Sequence, residues 1–136
     1  MVTEQELKEY FNQIVEKILL QTKCIENINI SISDHNKLKN KKNKEALGIC
    51  WRSTDNSYDI TIDKYFVYEC YTYFILSDIT STWKLHGQTL EKVICHELAH
   101  VQQWNHCKKH DRIMYELYDK VAKPKKYYEY LENISY

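Results

Sequence analysis

The sequence predicts an α+β domain: an N-terminal helix, a small, mostly antiparallel sheet containing a β-hairpin, an HExxH helix and a C-terminal helix. Three observations carry this reading. Apolar residues recur at helical spacing near the N-terminus and again from Thr89; short runs between them alternate with period two; and a cluster of turn-forming residues separates two of those runs. A chain of 136 residues, 43% hydrophobic, is long enough for one domain with a core and too short for two ordinary ones. Residues 1–136 are therefore expected to form a single domain.

From Thr3 to about Thr22, Leu7, Tyr10, Phe11, Ile14, Ile18 and Leu19 fall on one helical face, and Thr3 with Glu6 forms a capping box. Next, "INISIS", Ile28 to Ser33, alternates apolar and polar as a half-buried strand does. The lysine-rich "DHNKLKNKKNKEA" reads as a solvated loop. "LGICWR" and "YDITID" are strand-like and flank Ser53, Thr54, Asp55, Asn56 and Ser57, which favour a turn, so a β-hairpin is expected. "KYFVYECYTYFILSDIT" fits neither period cleanly: a longer strand, a helix and an irregular crossover stay open. Helical spacing returns from Thr89 through Trp104, and Ile113, Met114, Leu117, Tyr118 and Val121 mark a further helix that must stop near Pro124.

Composition excludes several classes. Lysine plus arginine equals aspartate plus glutamate, 19 each, so no global field favours a polyanion. The first twenty residues carry acids and amides throughout and lack a basic start followed by an apolar run, so no secretory signal is expected. No run of about 18 apolar residues occurs, and no membrane span is expected. Cys24, Cys50, Cys70, Cys95 and Cys107 are odd in number and form no CxxC pair, as reduced thiols of an intracellular protein would be.

The chemistry concentrates in "CHELAHVQQWNHCKKHD", Cys95 to Asp111, which holds four of the six histidines. On a helix, His96 and His100 lie one turn apart and can share one ion at about 2.0–2.1 Å, while Glu97 approaches the metal's water as general base. Both histidines border the apolar face of Leu90, Val93, Ile94, Leu98, Val101 and Trp104, a half-buried position that suits a cleft. A catalytic zinc needs a third protein ligand and one open position. His106 and His110 are the candidates. His106 has the spacing of HExxHxxGxxH, but Gln103 stands where that motif has its turn-forming glycine. Either histidine requires the helix to end and turn, and Asn105 can adopt the left-handed conformation that does so. Cys95 points about 100° away from His96 on a helix, whereas Cys107 lies in the loop approaching the metal and would close the site as a fourth ligand.

"HELAH" followed by "HDRIMYELYDKV" resembles the SprT-like and WLM group of intracellular zinc metallopeptidases, in which HExxH is followed by a third histidine opening a helix, in a pattern like HGxxF or HDxxF. The element order also resembles the compact SprT-like core. The resemblance implies a zinc metallopeptidase with His96, His100 and His110 as ligands, His106 as the alternative third ligand, and Glu97 as the catalytic base. It further implies a protein or peptide substrate, DNA-associated proteins among them, and an intracellular location. The chain departs from many members in lacking the paired cysteines of a C-terminal zinc ribbon.

Strand addition along the hairpin would suit a peptide substrate. Tyr115 and Arg112 are the nearest candidates for stabilising an oxyanion. Lys37, Lys39, Lys41, Lys42 and Lys44, with Lys108, Lys109, Lys123, Lys125 and Lys126, offer phosphate contacts if they share a face, and Tyr127, Tyr128 and Tyr130 could stack on bases. More often such lysines are a solvated loop and such tyrosines seat a terminal helix on the core. His35 and His86 are distant from the motif and are left out of the site. Two rivals remain: a non-catalytic zinc module contacting DNA or protein, and a zinc hydrolase of the three-histidine endoribonuclease type, whose spacing His96, His100 and His106 reproduce.

Overall fold

Thr3 begins the first helix as predicted. Its hydroxyl accepts from the Glu6 amide and donates to the Glu6 carboxylate, and α1 runs Glu4–Thr22 before Lys23 ends it in the left-handed conformation. The computed structural model describes residues 2–23, 27–34, 38–40, 42, 44–76 and 88–121. His35, His86, Cys24, Lys37, Lys41, Lys123, Lys125, Lys126 and the three tyrosines 127, 128 and 130 lie outside the described residues, as does the stop near Pro124.

Three strands follow: β1 (Ile28–Ile32), β2 (Gly48–Arg52) and β3 (Tyr58–Ile62). The expected hairpin is β2–β3, with Asn56 taking a positive φ of 63° in its turn. The sheet order is β1-β3-β2, with β1 parallel to β3 and β2 antiparallel to it. "Mostly antiparallel" therefore becomes mixed. Alternation fixes which side chains face the core but carries no information about the direction of a strand's neighbour.

The tyrosine-rich stretch opens as helix α2 (Lys64–Phe74), capped by Asp63, whose carboxylate accepts from the Phe66 amide at 2.9 Å and from the Leu38 amide at 2.6 Å. Phe66, Val67, Cys70 and Tyr73 form its buried face, while Tyr65 and Tyr68 are exposed. Helix α3 (Leu90–Gln102) crosses the sheet against β2 and β3, and α4 (Lys108–Lys120) lies along α3. Ile60 and Ile62 of β3, Leu90, Ile94 and Leu98 of α3, and Phe11 and Ile18 of α1 form the centre of the core. Among the described residues these elements make an α+β fold in which α3 and α1 pack on a three-stranded sheet and α2 and α4 pack on those helices. Among the described residues no helix is long and apolar enough to cross a membrane.

Candidate metal centre

Helix α3 carries the HExxH residues because its whole circumference is useful. Thr89 caps it by accepting from the Lys92 amide, and Leu90, Ile94 and Leu98 anchor it in the core. His96 then stands half-buried, while Glu97 and His100 are buried. The helix ends at Gln102, and Gln103 leaves it in an extended conformation, φ −140° and ψ 101°. This corrects the expectation of a left-handed turn at Asn105. An extended exit needs no positive φ, so Gln103 does what a glycine does in HExxHxxGxxH without strain. Trp104 thereby leaves the apolar stripe and is exposed.

The exit loop and α4 bring all four histidines together. His96, His100 and His110 offer ligand atoms within 4.8 Å of one another, close enough to bind one metal ion. His110, in the first turn of α4, is fully buried, with its ring 4.1 Å from that of His100 and 4.5 Å from that of His96. His106 falls outside this group of three, but its Nε2 lies 3.3 Å from Nε2 of His96 and 3.1 Å from Nε2 of His100. Neither Cys95, buried on another face of α3, nor Cys107, the exposed residue preceding α4, joins the metal-binding group among the described residues.

The donor set fits a metal. His100 Nδ1–H donates to the Trp104 carbonyl at 2.8 Å, which leaves Nε2 bare, as a ligand nitrogen must be. His110 Nε2–H donates to the His96 carbonyl at 3.0 Å, leaving Nδ1 bare and buried with no hydrogen-bond partner among the described residues. Burial, then the neighbouring histidines, lowers the His96 pKa to about 4; burial and then His110 and His106 lower that of His100. Both are held as neutral imidazoles, the form that binds metal. Burial raises the Glu97 carboxyl to about 7, in the range of a general base or acid near neutrality.

A cleft of about 630 Å³ opens over this cluster, lined by Gly48 to Arg52 on one side and by His96, Glu97, His100, Trp104, Asn105 and His106 on the other. A second cavity of about 360 Å³ shares Gly48, His96 and Glu97 and continues past Val93, Met114 and Tyr115. The two lobes meet at the Glu97 carboxylate. Tyr115 is exposed beside the second lobe, whereas Arg112 pairs along α4 with Glu116 at 3.9 Å.

Among the described residues, the hairpin wall of this cleft is an open sheet edge, that of β2. In the β2–β3 ladder, the Asp63 amide bonds the Leu47 carbonyl and the Ser53 amide bonds the Ser57 carbonyl. The register then directs the backbone groups of Ile49 and Trp51 towards β3. Those of Gly48, Cys50 and Arg52 point away from β3, along the side that borders the cleft.

Gly48 is a site residue that sequence reasoning missed. A Cβ built on it would stand 3.1 Å from Glu97 Cγ and 3.2 Å from Glu97 Oε2. The chain holds only two glycines, and this one begins a strand, where a side chain is expected. That was the available signal. Arg52, also unassigned, sets its guanidinium 4.7 Å from the centre of the Trp104 ring and ties the exit loop to the sheet edge.

Comparison of the chain with protein-family models, curated proteins and solved structures returned no match.

Proposed function

We propose that the chain is a zinc-dependent peptidase of SprT-like type that cuts extended protein segments, with zinc held by His96, His100 and His110 and Glu97 as general base. The observation that carries this reading is the juxtaposition of Glu97 and the histidine cluster with the open edge of β2 across one cleft. A structural zinc site has no use for a carboxylate between its ligands or for a sheet edge beside it. A peptide lying along that edge would exchange backbone hydrogen bonds with Gly48, Cys50 and Arg52 and pass Glu97 between the two lobes.

Zinc supplies a Lewis acid and lowers the pKa of water towards about 7. The chain's own groups do the rest. Glu97 accepts the proton of the attacking water and delivers it to the leaving amine. The Trp104 and His96 carbonyls hold the His100 and His110 rings in the ligand tautomer. Gly48 lets β2 approach the carboxylate without displacing it. The resemblance adds an intracellular setting, which suits the absence of a disulfide at Cys50, Cys70, Cys95 and Cys107 among the described residues.

The position of His106 gives the endoribonuclease reading one point in its favour, since His96, His100 and His106 present their Nε2 atoms to one another. Among the described residues, Lys42 and Arg52 line the cleft and are the cations a nucleic acid would meet there. The test is incubation of the zinc-loaded chain with a reduced, unfolded protein, with and without single-stranded DNA, and in parallel with an unstructured RNA. Zinc-dependent proteolysis supports the peptidase; RNA cleavage without proteolysis replaces it by the ribonuclease.

A further inference from the structure

We infer that His106 is a fourth, displaceable ligand, so that the resting site is closed by four imidazoles and opens when the cleft is occupied. The inference rests on the metal-site reading above and goes beyond it, because a three-histidine catalytic site leaves its fourth position open.

The argument is geometric. Four nitrogens at about 2.0–2.1 Å from one zinc ion in a tetrahedron stand about 3.3 Å from one another. His106 Nε2 lies 3.3 Å from Nε2 of His96 and 3.1 Å from Nε2 of His100, which are tetrahedral edges. Its ring is also 5.3 Å from that of His110. His106 thus turns Nε2 toward the ligand nitrogens of His96 and His100, at the rim of the group that these two form with His110.

The four differ in what holds them. His96 and His100 are built into α3, and His110 is fully buried in α4 with Nε2 bound to the His96 carbonyl. His106 is exposed, on the short link between Gln102 and Lys108. Next to it, exposed Trp104 is stacked under Arg52, at the end of the open edge of β2. An occupant lying along that edge meets Arg52, Trp104 and His106 together. The loop can swing while the three helix-borne ligands keep the ion.

The test counts ligands, which does not depend on activity. X-ray absorption on the zinc-loaded wild-type chain is expected to give four imidazoles, and on His106→Ala three imidazoles and one oxygen. In the cobalt-substituted proteins, azide should perturb the visible spectrum of His106→Ala at concentrations at least about tenfold lower than for wild type, because only the variant has a free position. Zinc affinity should fall about tenfold or more in the variant without being abolished. Three imidazoles and an oxygen in wild type would overturn the fourth ligand while leaving the peptidase reading intact. Loss of all zinc from a His106→Ala protein of unchanged circular dichroism would also overturn it, by making His106 indispensable. If that variant fails to fold, the wild-type ligand count decides alone. A wild-type chain that takes up no zinc would overturn both readings.

Discussion

Gly48 and Glu97 are in contact so close that a single methyl group on Gly48 would reach within 3.1 Å of the Glu97 side chain. Ile62 closes the other side of the same gap, with its Cδ1 also 3.1 Å from that added carbon. Gly48→Ala must therefore push the carboxylate, the strand or both. Overpacking of this kind costs about 1–3 kcal/mol. Peptidase turnover is expected to fall at least about tenfold while zinc content stays at the wild-type level. Full activity in a Gly48→Ala protein would show that the contact does not position Glu97.

On the proposed ligand set, removal of zinc should loosen the junction of α3 with the loop and α4, because His96 and His100 come from one helix and His110 from the other. At free zinc about 1,000 times Kd, binding stabilises by roughly 4 kcal/mol, which for a domain of this size is a melting shift of roughly 10 °C. Differential scanning calorimetry with and without a chelator measures it. His110→Ala should abolish the shift, since it removes a buried ligand, and an undiminished shift in that variant would remove His110 from the ligand set.

Glu91, buried in the first turn of α3, gives a pH dependence that is independent of metal ligation. Burial is the chief cause that raises its carboxyl from 4.5 to about 7; Lys17 and its hydrogen bonds oppose the shift, and Tyr10 and Cys70 are its acidic neighbours. Its Oε2 has no hydrogen-bond partner among the described residues, as suits a protonated acid. Between pH 4.5 and about 7 the folded chain binds this proton and the unfolded chain does not, so stability falls as pH rises through that window. The full effect is of order 3 kcal/mol. Urea titrations of the metal-free proteins should show Glu91→Gln gaining on wild type as pH rises from 5 to 8. Parallel curves would contradict the assignment. Glu97 is common to both proteins and cancels in the difference.

Strand addition predicts a parity in the substrate. Only alternate residues of a strand pair with Gly48, Cys50 and Arg52, so N-methylation at alternate backbone amides of a peptide should raise KM, by about five- to tenfold for each bond lost. Methylation of the intervening amides should change it little. Equal sensitivity at both sets would show that the peptide does not lie along β2.

How much of this was legible in the sequence differs by residue. The placement of His96, His100 and Glu97 at one cleft follows from helical spacing alone, and the hairpin follows from its turn residues. The α2 helix did not, because Tyr, Phe and Val favour strands in isolation, and the cap at Asp63 acts through the fold by also binding Leu38. The parallel pairing of β1 with β3 depends on a partner that alternation does not name. The choice between His106 and His110 turned on one torsion, at Gln103, whose extended exit from α3 brings both histidines to the cluster. Gly48 was visible only as an unexplained glycine at the start of a strand.

The central claim, that Glu97 and the histidine cluster hydrolyse peptide bonds, is tested most directly by cleavage of an unfolded protein by zinc-loaded wild type and zinc-loaded Glu97→Gln. The account predicts equal zinc content and a rate lower by about 10²–10⁴ in the variant, which keeps the shape of the side chain but loses the proton acceptor. Cleavage at the wild-type rate by Glu97→Gln, or no cleavage by zinc-loaded wild type, would contradict it.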